Sequence, residues 1–196
     1  MKKQLIIYGA SGHGLVAADI AKLTGYQKIL FYDDDLSKDQ VGPFDVIHSF
    51  SDLSDYDLFI AIGNNKTRQQ IFSRFDEIVT LIHPSAIIAD SAVIEKGCIV
   101  MVDAVINPYA YIGEGTIINT CSSVDHEDQI GRFNHISVGA HLAGNVKTGD
   151  RVFAGAGAVV INNIEICDDV IIGAGAAVVK DITVKGTYIG VPAKKL

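Results

Sequence analysis

The residues with the clearest capacity for chemistry are the run Asp125-His126-Glu127-Asp128. An imidazole titrates near neutral pH, and a carboxylate beside it orients the ring and stabilises the imidazolium. That combination makes a general base, and His126, flanked by Asp125 and by Glu127 and Asp128, is the candidate drawn from it. His135 is a second candidate, and His141 reads as structural or as the edge of a ligand site. His48 and His83 stand in no catalytic pattern. A metal centre of His126, His135 and nearby carboxylates would need ligand spacings that this segment lacks, so no metal is expected.

The elements that must position these side chains announce themselves by period. Stepping by six from Ile88 to Val184 meets an aliphatic residue almost every time; Thr148 is polar and Ala154 small. Four places after each lies a second series of small or β-branched residues, including Ala92, Cys98, Ala140 and Ala158. A period of six suits neither a helix nor a flat strand. It suits short strands separated by turns, each sending one side chain into a shared core, which is the signature of a parallel β-helix. Asp128 occupies the small inward series, so the charged run breaks the scaffold's own rule. Local rules tend to fail at functional sites.

Ahead of the repeat, Leu5-Ile6-Ile7-Tyr8 is a buried-strand pattern that ends in Gly9-Ala10-Ser11-Gly12-His13-Gly14. Residues 15–23 have helical spacing, and Lys28-Ile29-Leu30-Phe31-Tyr32 reads as a strand closed by Asp33-Asp34-Asp35. This is a βαβ unit whose glycine turn has the spacing GxxGxG rather than the dinucleotide GxGxxG. Glycines there let backbone N–H groups approach a phosphate at a helix N-terminus. A carboxylate at the end of the second strand can accept from a ribose or a base. Residues 57–62 form another buried strand ending at Gly63, expected to line the same crevice as Gly12 and Asp33. A helix over 66–75 and a last strand over 78–82 complete a Rossmann-like α/β domain, residues 1–82. The β-helix then takes residues 83–196.

Composition narrows the partners. The chain has 196 residues, a net formal charge of −7 and 48% hydrophobic residues. The negative balance argues against nucleic acid or an anionic membrane as partner. No run is long and apolar enough to span a membrane, and no cleavage-like site follows the N-terminal apolar run, so a cytoplasmic protein is expected. Cys98, Cys121 and Cys167 form no close pair, which speaks against a disulfide framework.

Taken together, Tyr8-Gly9-Ala10-Ser11-Gly12-His13-Gly14, Asp33-Asp34, Ala61-Ile62-Gly63-Asn64-Asn65, His83-Pro84-Ser85-Ala86, His126-Glu127 and Gly190-Val191-Pro192-Ala193-Lys194 resemble one family across essentially the whole chain. That family is the PglD/NeuD-like sugar acetyltransferases of the hexapeptide-repeat superfamily, in its PglD-like branch. The resemblance implies a left-handed β-helix and a homotrimer with active sites between neighbouring β-helices. It implies an acetyl-CoA-dependent N-acetyltransferase acting on the 4-amine of a UDP-4-amino-4,6-dideoxy sugar, as in UDP-N,N'-diacetylbacillosamine formation for protein glycosylation. Ser11, Gly12, His13, Asp33, Asp34 and Gly63 would hold the nucleotide-sugar. His126 would be the base, with Glu127 raising its basicity. His135, Gly144, Ala156 and Ala174 would line the acetyl-CoA groove. The family commonly has glutamate where this chain has Asp125.

The residues leave rivals open. One is acetylation of another nucleotide-amino sugar such as GDP-perosamine, or of a sugar hydroxyl. Another is a scaffold that only binds a nucleotide, and a third is an NAD-dependent enzyme. Arg151, Lys180, Lys194 and Lys195 are candidates for the CoA phosphates. Cys121, Ser122 and Ser123 read as coil residues rather than nucleophiles.

Overall fold

The computed structural model describes residues 4–49 and 55–196. Its N-terminal part holds β1 (Gln4–Tyr8), α1 (Gly12–Leu23), β2 (Lys28–Tyr32), β3 (Gln40–Val41), β4 (Phe44–Ile47), β5 (Asp57–Ile60) and α2 (Asn65–Phe72). They build a five-stranded sheet in the order β3-β4-β2-β1-β5, parallel except for the β3–β4 pair. β1, flanked by β2 and β5, is apolar and buried from Leu5 to Tyr8 because it is covered on both sides. Alanines 17, 18 and 21 of α1 are fully buried. The close packing explains Gly14, where a Cβ would stand 2.3 Å from the Gly9 carbonyl oxygen.

The rest of the chain is a parallel β-helix. Strands pair with the strand 18 residues on, as Val105 with Ser123 and Ser123 with His141. Each coil contributes one short strand to each of three faces. Every sixth residue from Gly97 to Gly175 has a positive φ, between 54° and 68°. Nine of these fourteen residues are not glycine, among them Glu127 and Phe133. A side chain in that conformation costs roughly 1–2 kcal/mol, so the stacking of coils, not residue preference, imposes the turn. The aliphatic series is buried from Val100 to Val178. Thr148 is satisfied inside the core, accepting from the Asn134 amide and the Gly131 N–H.

Two expectations shift at the ends. The strand expected over 78–82 is Leu81–Ile82, and it pairs with Ile99–Val100 as the first rung of the β-helix, not with the α/β sheet. Val184 is 54% exposed, because the regular coil ends once Ile182 has bridged to Ile166.

The three faces differ in what they meet. The first carries Ile99, Ile117, His135 and Phe153, and the α/β part packs on it: Ile99, Met101 and Ile117 share one apolar cluster with Leu5, Ile7 and Ala17. The second, built from strands such as Ser123–Val124 and Val159–Val160, leaves Ile87, Val159, Ile161 and Val179 exposed on it or at its rim. The third carries Tyr111, Gln129 and a Lys147–Glu165 ion pair at 3.2 Å, as a solvated face does.

Candidate active site

The run 125–128 forms the turn between the second face and the third, so it lies on the edge opposite the face that carries the α/β part. His126 is exposed. Its Nδ1 stands 3.1 Å from Glu127 Oε2. A carboxylate there accepts from Nδ1–H and leaves Nε2 as the basic nitrogen. Directly beneath the ring is Gly144 of the next coil, where a Cβ would stand 2.5 Å from both Cε1 and Nε2. No other residue fits under the imidazole in this position. Asp125 fixes the turn, its Oδ1 accepting from Asn107 Nδ2 at 2.7 Å and from the His126 N–H at 2.7 Å. The Asn107 bond, followed by that N–H, holds the Asp125 carboxyl below the usual carboxylate range. Asp128 is wholly buried behind the turn, and burial pushes its carboxyl up to about 7.

A second cluster sits where the α/β part meets the first face. β1, β2 and β5 run parallel, so the segments after them open on one edge of the sheet. Ser11 caps α1 by position but makes no side-chain capping bond. A Cβ at Gly12 or Gly63 would meet no protein atom within 4 Å, so both backbones are open to a ligand. Asp33 is engaged within the chain, accepting from the Ala10 N–H at 2.8 Å and from Lys38 Nζ at 2.9 Å. Asp34 accepts from the hydroxyls of Tyr8 and Tyr32. Gly63, Asn64, Asn65 and Lys66 line a cleft of about 400 Å³ with Phe153 and Ile171 of the first face.

His13 and His135 face each other in this interface, with ring centroids 6.4 Å apart. Asn119 Nδ2 donates to His135 Nε2 at 2.9 Å, which places the ring proton on Nδ1. His13 Nε2 and His135 Nδ1 are both buried without a hydrogen-bond partner; the Gly63 backbone, though it favours the protonated His135 ring, completes no bond. Between the two parts lies Arg68, 1% exposed. It donates from Nε to the Gly115 carbonyl at 2.6 Å, from Nη1 to the carbonyls of Ile62 and Gly63, and from Nη2 to the Asn65 side chain and the carbonyls of Phe133 and Asn134. Every acceptor is a neutral oxygen. Burial draws the Arg68 guanidinium down to about 9. Burial, then the charge on Arg68, lowers His13 to about 4 and His135 to about 3. Both rings are neutral at physiological pH.

The residues expected along the acetyl-CoA groove divide. Ala156 and Ala174 are exposed and stacked, the Gly175 N–H donating to the Ala156 carbonyl, on the edge between the first face and the second. His135 lies on the first face and Gly144 under His126. Among the proposed cations, Arg151 is committed to Asp169, with Nε–Oδ1 at 2.9 Å. His141 Nδ1 lies 2.9 Å from Ser123 Oγ on the second face. Among the described residues no group of His, Cys, Asp and Glu is placed to hold a metal ion, and no helix is long and apolar enough to cross a membrane. Sequence reasoning missed Arg68, Asn65 and Asn119. The signal for the first two was their place on the buried face of α2, in register with Ile71 and Phe72.

Residues 4–75 match the family described as the PglD N-terminal domain. The UDP-N-acetylbacillosamine N-acetyltransferase of Bacillus subtilis (strain 168) is 36% identical over 111 residues, which are 50% of this chain and 51% of that protein, so the match spans about half of its length. Two solved structures match throughout. The acetyltransferase domain of PglB from Neisseria gonorrhoeae FA1090, in complex with acetyl coenzyme A, is 37% identical over the whole of both chains with a TM-score of 0.93. PerB from Caulobacter crescentus, in complex with CoA and GDP-perosamine, is 35% identical with a TM-score of 0.91, covering 97% of this chain and 96% of that one. With the α/β crevice, the β-helix and the His126 edge all present, the chain belongs to the PglD-like sugar N-acetyltransferases of the hexapeptide-repeat superfamily.

Proposed function

We propose that this protein transfers the acetyl group of acetyl-CoA to the amine of a nucleotide-linked amino sugar, with His126 as general base. The observation that carries this reading is the His126 edge, an imidazole aligned by a carboxylate and bedded on a glycine. The sugar amine attacks the thioester carbonyl while His126 Nε2 removes its proton; the C–N bond forms, the C–S bond breaks, and CoA leaves and takes up the proton. The Gly144 N–H, which donates to no acceptor among the described residues, is the donor we assign to the developing oxyanion. Ser11, Gly12 and Gly63 would present backbone to the nucleotide, with His13, Asp33 and Asp34 around it. Ala156 and Ala174 leave a shallow track for the pantetheine arm, and His135 would border it.

Within one chain the base and the crevice lie on opposite sides of the β-helix. We therefore place each active site between two subunits, His126 of one reaching the crevice of its neighbour, with the apolar second face as contact surface in a homotrimer. The substrate we favour is a UDP-4-amino-4,6-dideoxy sugar, in keeping with the bacillosamine relative; the GDP-perosamine complex keeps a GDP-linked sugar as the second reading.

One assay separates these. The protein is incubated with acetyl-CoA and a panel of UDP- and GDP-amino sugars, and free thiol and product mass are followed. Release with the UDP sugar alone supports the first reading, release with the GDP sugar alone the second, and release with neither leaves a binding module. Mixing the inactive variants His126→Ala and Asp33→Ala tests the shared site, since mixed trimers regain activity only if the two residues serve one site from different chains.

A further inference from the structure

The coil that carries His126 differs from its neighbours inside the β-helix. Inward corner residues elsewhere are small or apolar: Cys98, Ala104 and Ala110 before it, Ala140, Val146, Val152 and Ala158 after it. From 116 to 134 the four consecutive corners are Thr116, Ser122, Asp128 and Asn134, all 0% exposed. The β-helix does not need a carboxylate at Asp128. The stacked positions in the other coils are Ala92, Ala110, Val146, Ile164 and Ile182, apolar residues that belong to or pack on the core. A buried carboxyl there costs stability unless it has specific work to do.

Its hydrogen bonds say what that work is. At this edge of the other coils, the N–H groups of Ala89, Asn107, Ala143 and Ile161 each donate to the carbonyl of the coil stacked below. The Asp125 N–H donates to Asp128 Oδ2 at 3.0 Å. The other oxygen, Oδ1, accepts from the Val146 N–H at 2.7 Å. In the first two coils the corner N–H closes its own turn, Ala92 to the Ala89 carbonyl at 2.9 Å and Ala110 to the Asn107 carbonyl at 3.3 Å. At the His126 turn the matching bond from Asp128 to Asp125 has stretched to 3.4 Å. One carboxyl group thus holds an N–H from each of two stacked turns, 125–128 and 143–146. These are the turns that contribute His126 and the Gly144 floor beneath its ring.

We propose that Asp128 is a positioning residue for the acetyl transfer, a brace inside the core that sets the His126 turn against the Gly144 turn. It touches no substrate. It acts through Asp125, whose side chain in turn holds the His126 N–H. The groups that face it are Asp125 and His126 on its own turn and the Val146 backbone on the next. The inference rests on His126 being the base.

The test replaces Asp128 by the residue its own stack uses, Asp128→Val, with Asp128→Asn as the near-isosteric control. Removing the brace restores an ordinary core, so Asp128→Val is expected to fold with a midpoint at least as high as the parent. Its kcat is expected to fall roughly 10- to 100-fold through misplacement of the ring, with KM for acetyl-CoA within about twofold. Asp128→Asn keeps one acceptor and should recover part of the loss. A kcat within about twofold of the parent in Asp128→Val overturns the proposal. So does loss of folded protein in both variants, which would assign Asp128 to stability alone. His126→Ala, run beside them, separates the two ideas: full activity there sinks the base assignment, whereas an inactive His126→Ala with a fully active Asp128→Val sinks only the brace.

Discussion

His126 and His135 stand nine residues apart in the chain and in opposite chemical settings. His126 is exposed, has a carboxylate against Nδ1 and lies on a glycine that leaves its other nitrogen open. His135 is buried among His13, Phe153 and Asn119, beside a guanidinium with only neutral acceptors, and stays neutral down to about pH 3. The second ring cannot take a proton near neutral pH; it can only hold or offer a hydrogen bond. Residue type alone does not distinguish them. What distinguishes them is that the second histidine faces the α/β part, and Arg68 comes with that contact.

The contrast is broken most severely by removing its two anchors. His126→Ala should reduce kcat by about 10²- to 10⁴-fold, the usual contribution of a general base, while leaving thermal stability near the parent value because the side chain is exposed. Arg68→Ala should do the reverse. It strands neutral oxygens from both parts of the molecule and is expected to cost about 3–5 kcal/mol, seen as a lower denaturation midpoint and as early protease cleavage between residues 75 and 81. If Arg68→Ala unfolds like the parent, the six donated bonds do not hold the interface together.

Gly144→Ala sharpens the comparison from the catalytic side. One added methyl would have to displace the His126 ring, so kcat should fall roughly 10- to 100-fold with little change in the melting midpoint. A fully active Gly144→Ala would mean that the ring works in another position.

Stability against pH should show the two settings with opposite signs. In the unfolded chain His13 and His135 take up protons below about 6.5; folded, they resist to about 4 and 3. Their contribution is therefore complete above about pH 6.5 and is lost as pH falls toward 4. Asp128 ionises near 4 when unfolded but only about 7 when folded, so its contribution is complete below about pH 4 and is lost as pH rises toward 7. Each should amount to a few kcal/mol. Chemical denaturation from pH 4 to 8 tests this: His135→Phe should flatten the acid limb, and Asp128→Val the limb approaching neutrality. Unchanged limbs in both variants would refute the assignment.

How much of this was legible in the sequence follows from the range of each interaction. The β-helix was legible because its core is a one-dimensional repeat, and each aliphatic residue announces the next. His126 was legible because charge interrupts that repeat. The floor under the ring was not, since Gly144 acts through contact with a residue 18 positions earlier and looks like any turn glycine. Arg68 reads as a solvated helix cation, and its acceptors at Gly115, Phe133 and Asn134 are 47 to 66 residues away. In the sequence the rung at Leu81–Ile82 looks like a last strand of the α/β sheet, because an apolar pair carries no label for the sheet it joins.

The smallest expected effect concerns Glu127. Its contact with His126 looks like half of a catalytic pair, yet the side chains are 57% and 64% exposed. Solvent screens such a pair, and exposed ion pairs are worth about 0.2–1 kcal/mol. Glu127→Gln keeps an acceptor for Nδ1–H and removes only the charge, so in the isolated chain's geometry kcat should fall by less than about fivefold. A neighbouring subunit changes that expectation. If a second copy covers this edge, water leaves, the same contact strengthens, and the loss should exceed about tenfold in kcat. The rate of Glu127→Gln therefore reports whether His126 works exposed, as this chain alone presents it, or sealed beneath a second copy.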